Sequence, residues 1–264
     1  MAFARVNGIV LHYELSGAPD RPPLVFSNSL GTDLRIWDKV VEQLADRFRI
    51  IRYDKRGHGL SEATQPPYPL TDHVGDLVGL LNHLKIARTA VVGLSVGGMI
   101  AQGLAALHPE RVAALVLCDT AHQIGTREFW DDRIDMVARK GLAAIVDPVM
   151  QRWFTAAFRK PDNPDYAGYV AMFTRCSVDG YVGTCASVRD ADLTESTRAL
   201  TVPTLCIVGD QDGSTPPDLV RSMANLIRNS EFRIVPDAGH IPCVEQPDAV
   251  AGLIGGFLRG VHYG

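Results

Sequence analysis

The chain has 264 residues, of which 46% are hydrophobic and 21% charged, and its formal net charge is -4. That length buries a full core near the upper limit for one domain, and Lys and Arg are scattered, so no polybasic face for nucleic acid or a membrane surface stands out. Nowhere does the chain offer the roughly 18 apolar residues of a membrane span, and the opening MAFARVNGIVLHYEL lacks the pattern of a secretory signal; a soluble, cytoplasmic protein is the expectation.

Taken in chain order, FARV and IVLHYEL are two alternating runs joined by Asn7-Gly8, which supplies the positive φ angles of a two-residue hairpin turn. The short β-branched runs PLVFSN, FRIIRYD, TAVVGLS, RVAALVLCD, PTLCIVGD and EFRIVPD follow, several separated by helical-period stretches such as DHVGDLVGLLNHLKI and GGMIAQGLAALH. Strand alternating with helix implies an α/β protein with a mostly parallel sheet covered on both faces. Between residues 122 and 195 the alternation stops: TREFWDDRIDMVARKGLAAIVDPVMQRWF and NPDYAGYVAMFTRC read as helices, with Asn163-Pro164 and Ser177 as capping signals. The expected organisation is a core of residues 1–121 and 196–264 with a helical cap inserted at 122–195. Cys118, Cys176, Cys185, Cys206 and Cys243 show no C-x-x-C spacing, which suits reduced, mostly buried thiols.

One short stretch carries chemistry. In VVGLSVGGMI, Ser95 lies between Gly93 and Gly97 where a strand gives way to a helix, the G-x-S-x-G pattern of a sharp turn that lifts a serine hydroxyl above a sheet edge, facing the helix N-terminal amides. Two other readings compete. Gly93, Ser95 and Gly98 also fall at the three glycine positions of a dinucleotide loop, with Asp119 about twenty residues on, although a serine in the middle would obstruct the pyrophosphate; or Ser95 is only a small residue in a tight corner.

A serine needs a base, and the base an orienting acid. Asp210 and Asp212 end one predicted strand and His240 follows the next, giving the order Ser95, Asp212, His240. Asp119 and Asp210 compete with Asp212 as the acid, whereas His12, His73, His83 and His108 occupy hairpin or helical positions suited to structural roles.

The blocks SNSLGTDLRIW, YDKRGHGLS, GLSVGGMIAQ, GDQDGSTPP and AGHIPCVEQP resemble the motif blocks of the α/β-hydrolase superfamily and span nearly the whole chain outside the insertion. Within it, SNSLGT, GLSVGGMIAQ and CDTAHQIGT are most similar to the 3-oxoadipate enol-lactonases, which open a small anionic lactone in the β-ketoadipate route of aromatic catabolism. The resemblance implies Ser95 as nucleophile, His240 as base, Asp212 as its acid, and the amides of Leu30 and Val96 as the oxyanion hole, with Asn28 and Ser29 departing from the family's usual His-Gly. It also implies that Asp54, Arg56 and His58 brace a loop, and that no metal or organic cofactor takes part; the sequence carries no H-E-x-x-H, H-x-x-E-H or Cys/His cluster to hold one.

A lactone with a carboxylate arm calls for an apolar pocket with a cation, and an arginine fork matches a carboxylate best. Arg133, Arg175 and Trp130 are the candidates, with Trp153, Met136 and Met172 as further lining or as ordinary cap packing. Other reactions of the same fold stay open, namely hydrolysis of another small carboxylic ester, peracid formation or carbon-carbon bond hydrolysis, as does a ligand-binding sensor with little turnover.

Overall fold

The computed structural model describes residues 1–264. Eight strands, β1 (Ala2–Val6), β2 (Ile9–Ser16), β3 (Pro23–Ser27), β4 (Arg49–Tyr53), β5 (Thr89–Leu94), β6 (Val112–Cys118), β7 (Thr204–Gly209) and β8 (Glu231–Val235), form one sheet. Their order is β1-β2-β4-β3-β5-β6-β7-β8. β1 and β2 form the expected hairpin, with Asn7 at φ 47° and Gly8 at φ 81°, and β2 runs antiparallel to β4; all other pairings are parallel. β5 and β7 are buried at every position, as strands covered on both faces must be.

A parallel sheet of this kind collects its functional loops at the carboxyl ends of the strands. Here those loops follow β3 (residues 28–33), β4 (54–61), β5 (Ser95), β6 (119–126), β7 (210–216) and β8 (236–241).

Between β6 and β7 there is no strand, only the helices Arg127–Lys140, Val146–Trp153, Pro164–Thr174, Val178–Asp190 and Thr194–Arg198 and one short 3-10 turn. Thr126 accepts from the Phe129 N–H, Asn163 from the Asp165 N–H and Ser177 from the Gly180 N–H, so each of three helices starts on a side-chain cap. Gly141, at φ 74°, breaks the first run before the 3-10 turn at Leu142–Ile145.

The insertion is seated on the core through backbone approach. A Cβ on Gly180 would lie 1.9 Å from the Gly57 carbonyl oxygen, and one on Gly57 would lie 2.2 Å from the Gly180 Cα. Ser187 Oγ donates to the Tyr68 carbonyl at 2.6 Å beside this contact. All five cysteines are free, four of them buried, and no helix is long and apolar enough to cross a membrane.

The glycine pair makes a stability prediction. Gly180→Ala forces the helix Val178–Asp190 off the core, and the expected cost is about 2 kcal/mol, typical of overpacking against backbone that cannot yield. The check is a melting temperature lower by about 5 °C; an unchanged value would mean that the helix slides without penalty.

Candidate active site

Ser95 holds φ 57° and ψ -120° at the junction of β5 and the helix Val96–Leu107. An L-residue resists this backbone, and the surroundings impose it. The Ser95 N–H donates to the Cys118 carbonyl at 2.9 Å, and its carbonyl accepts from Thr120 Oγ1 at 2.7 Å. A Cβ on Gly93 would lie 2.3 Å from the Gly97 oxygen, one on Gly97 2.2 Å from the Ser27 oxygen, and one on Gly98 2.5 Å from Thr120 Cγ2. The glycines are therefore required by the packing of the turn, and the N-terminal amides of the helix open toward the serine.

His240, in the loop after β8, is buried and directs Nδ1 at both oxygens of Asp212, at 3.0 and 2.9 Å. Asp212 also accepts from the Ser214 N–H at 2.7 Å, the Thr215 N–H at 3.0 Å and Thr215 Oγ1 at 2.6 Å. Burial pushes the Asp212 carboxyl up, but the His240 charge and these donors outweigh it and hold the group below the ordinary aspartate value. A carboxylate facing Nδ1 makes that nitrogen the donor and leaves Nε2 as the acceptor. Ser95 and His240 meet as walls of one cavity.

The competing acids lie elsewhere. Asp210 is exposed and accepts from the Ala238 N–H at 3.1 Å, bracing the turn after β8. Asp119 is fully buried, with Oδ1 accepting from the Gly209 N–H at 2.9 Å and Oδ2 unpartnered. Asp119, Asp212 and His240 place polar atoms within 4.8 Å of one another. Burial, then the adjacent Asp212 charge, push the Asp119 carboxyl well above its usual range, so it holds its proton to a higher pH than Asp212 does. None of the other histidines lines the cavity: His12 binds Asp54, His83 binds Tyr13, His73 is enclosed without a partner and His108 is half-buried beside Glu110.

The loop after β3 is held from below by the turn after β4. His58 Nε2 accepts from the Gly31 N–H at 2.9 Å while Nδ1 faces the Arg56 carbonyl at 3.1 Å, which fixes the proton on Nδ1. Burial, then the nearby Lys55 charge, hold His58 well below the usual histidine value, so it remains the neutral acceptor that the Gly31 amide needs. Asp54 accepts from the Leu34 N–H at 2.8 Å and the Leu60 N–H at 2.9 Å, and Arg56 forks onto Asp76 at 2.7 Å through both Nε and Nη2. Asn28 bonds the Thr32 carbonyl across the same loop. The Leu30 N–H has no hydrogen-bond partner within the protein, and Leu30 lines the cavity beside Ser95.

The cavity has a volume of about 360 Å³ and lies between the sheet edge and the helical insertion. Trp130, Arg133 and Trp153 line it, as the sequence suggests, and so does Arg152, which sequence reasoning missed. The two guanidinium groups stack on Phe129, at 4.7 Å for Arg133 and 4.8 Å for Arg152, and neither has an acidic partner. Arg133 Nη1 donates weakly to the Tyr181 hydroxyl at 3.4 Å.

Arg175 departs from expectation. It follows the helix Pro164–Thr174 and lines a different cavity, together with Met172, Asp33 and Asp54 on the outer side of the Gly31 loop, because the helix end packs there. Met136 faces solvent, 39% exposed. Neither Arg175 nor the two methionines line the serine cavity.

The protonated Asp119 sets a pH dependence. Below about pH 4 the residue holds its proton in both folded and unfolded chains; above it the unfolded chain releases the proton first, because the folded value is raised, so the folded state loses stability as pH rises toward that folded value. A carboxamide at this position would have nothing to release. The melting temperature of Asp119→Asn relative to wild type should therefore be higher at about pH 7 than at about pH 4, and a difference independent of pH would mean that Asp119 is charged in the folded protein.

Residues 22–247 match the family model for the alpha/beta hydrolase fold. The chain is 34% identical over 242 residues to 3-oxoadipate enol-lactonase 2 of Acinetobacter baylyi, covering 91% of this chain and 90% of that protein. Among solved structures it is similar to the enol-lactonase from Burkholderia xenovorans LB400, with a TM-score of 0.95, 38% identity and coverage of 98% and 100% of the two chains. A thermophilic esterase from Thermogutta terrifontis, solved with malate bound, has a TM-score of 0.94 at 30% identity, with coverage of 99% and 100%. The chain belongs to the α/β-hydrolase family, whose similar members include enol-lactonases and an esterase.

Proposed function

We propose that the protein hydrolyses 3-oxoadipate enol-lactone, the reaction named for its Acinetobacter relative, through a Ser95–His240–Asp212 triad and an acyl-enzyme. One observation supports this substrate over a neutral ester: the cavity that joins Ser95 to His240 also contains Arg133 and Arg152, two guanidinium groups without acidic partners. Both are half-buried in the cavity wall, and a guanidinium fork with no acidic partner of its own is open to a ligand carboxylate, which the arm of the lactone supplies. Burial, then the charge of Arg133, lower the Arg152 pKa, the sign expected of two cations sharing a site.

In this reading Ser95 Oγ attacks the ring carbonyl while His240 Nε2 takes its proton. Asp212 holds the Nδ1–H and stabilises the imidazolium that forms. The negative charge developing on the carbonyl oxygen is received by the amides of Leu30 and Val96. The tetrahedral intermediate collapses by breaking the ring C–O bond, and the departing oxygen, stabilised by conjugation, takes the proton held on His240 Nε2 and leaves as the enol, which tautomerises to the ketone and leaves His240 neutral again. Water, deprotonated by His240, then attacks the acyl carbonyl, and the second tetrahedral intermediate breaks its bond to Ser95 Oγ as His240 returns the proton to the serine. Every step is carried by these side chains and amides. Trp130, Trp153 and Ile124 supply the apolar walls that keep the reacting carbonyl dry.

Purified protein should consume enol-lactone absorbance rapidly, and Ser95→Ala should lower kcat by roughly 10³-fold or more. Lactone left untouched beside fast aryl-ester cleavage would keep the serine chemistry and remove the lactone assignment. Arg133→Met tests the arm separately. It should raise KM for the lactone by about tenfold or more, the loss of a charged hydrogen-bond partner, with little change for p-nitrophenyl acetate, which has no carboxylate. Equal losses on both substrates would mean that Arg133 only packs the cap.

A further inference from the structure

Resting on the oxyanion hole just described, we propose that Lys55 is a positioning residue for it: its buried side chain grips the Ser29 carbonyl and thereby orients and polarises the peptide whose N–H is Leu30.

Lys55 follows β4 in the YDKRGHG turn, and none of its surface reaches solvent. Its ammonium makes one hydrogen bond, to the Ser29 carbonyl oxygen, and no ion pair. Ser29 C=O and Leu30 N–H are the two ends of a single peptide unit, planar and conjugated. A cation at the oxygen draws charge through the C–N bond and leaves the N–H more positive, the polarisation that a chain of hydrogen bonds transmits. The Leu30 N–H has no other partner within the protein, and Leu30 forms part of the cavity wall beside Ser95. The charge of Lys55 therefore reaches the reacting oxygen through one peptide bond without solvent between, where electrostatic effects are largest.

The loop does not need Lys55 to satisfy its backbone. Thr32 Oγ1 already donates to the Ser29 carbonyl at 2.8 Å, and the Thr32 N–H does so at 3.3 Å. Burying an ammonium for a third donor works against stability, as expected where a residue is retained for function and not for folding. The charged and titratable groups around it are Cys176 from the insertion, Asp33, Asp54, His58 and His73. His58 and His73 are kept neutral by burial, and burial pushes the Cys176 thiol up to about 12. Asp33 and Asp54 help retain the Lys55 proton, but burial is the larger effect and brings its pKa down to about 7. The ammonium is thus present below neutrality and lost above it, a sign opposite to that of an activating base.

The test compares Lys55→Met, which removes both donor and charge, with Lys55→Gln, which keeps a donor, and Ser95→Ala as the control. With p-nitrophenyl acetate, Lys55→Met should lower kcat by roughly tenfold, a fraction of the loss expected for deleting an oxyanion donor outright, with KM within about twofold. Phenylboronic acid, whose adduct with the serine is tetrahedral and anionic, should bind Lys55→Met weaker by the same factor, and the melting temperature should hold or rise. Lys55→Gln should fall between. In wild-type protein the Leu30 amide proton resonance should move upfield as Lys55 loses its proton, a readout that needs no variant to fold. Unchanged kcat and boronate affinity in Lys55→Met, or a Leu30 resonance indifferent to the Lys55 titration, would overturn the proposal while an inactive Ser95→Ala keeps the serine reading. An active Ser95→Ala would instead remove the oxyanion hole on which Lys55 acts.

Discussion

Ser95 is held with φ at 57°, and much of the architecture around it exists to make that conformation the stable one. Releasing the strain would rotate the serine into the sheet and swing the first turn of the following helix away from it. The surroundings prevent this by contact on every side: Gly97 against the Ser27 carbonyl, Gly93 against Gly97, Gly98 against Thr120, and hydrogen bonds from Ser95 N–H to Cys118 and from Thr120 to the Ser95 carbonyl. The strands supplying these partners, β3 and β6, are the two neighbours of β5 in the sheet. The parallel order of the sheet is therefore a condition of the turn, because only adjacent carboxyl ends can bring residues 27–28 and 118–120 to the same point.

What the sequence discloses follows the range of the interactions involved. The hairpin at Asn7-Gly8 and the caps at Asn163 and Ser177 are local, written in neighbouring residues whose backbone preferences hold in isolation, whereas the serine turn is legible in its glycine spacing but held by partners from β3 and β6. The choice of Asp212 over Asp119 and Asp210 is less local: all three follow strands, and only the folded protein shows Asp212 against His240 while Asp210 turns outward to Ala238. Arg152 and Arg175 show where such reasoning stops. Both are basic residues at ends of insertion helices, and which of them meets the serine depends on how those helices lie over the sheet. The signal for Arg152 was its place beside Trp153, itself a candidate for the lining, but neighbours on a helix point about 100° apart, so adjacency alone did not carry it.

The loop after β4 has its own logic. YDKRGHG reads as a structural turn, and Asp54, Arg56 and His58 each satisfy that description by bonding backbone amides or a second carboxylate. Lys55 stands among them without such an account, since the carbonyl it binds has other donors. A purely structural turn would place an apolar side chain at that position and gain from it. Three bracing residues and one buried charge in the same short turn thus divide into those that set the shape of the Gly31 loop and one that sets its electrostatics.

The division between sheet and insertion follows from the same contrast. Ser95, Asp212, His240 and the Leu30 amide all lie on loops of the sheet edge, where a misplacement of about 1 Å would disable the proposed attack and proton transfer. Arg133, Arg152, Trp130 and Trp153 come from helices whose contacts with the core include Gly57 with Gly180 and Thr155 with Glu245, whose other oxygen accepts from the Gly239 N–H next to His240. Charge attraction on a carboxylate falls off slowly with distance, so these cations tolerate a small displacement that the nucleophile could not. In the proposed reaction the sheet edge therefore carries bond making and the insertion carries recognition, and at Glu245 a shift of the insertion is felt directly by the histidine loop.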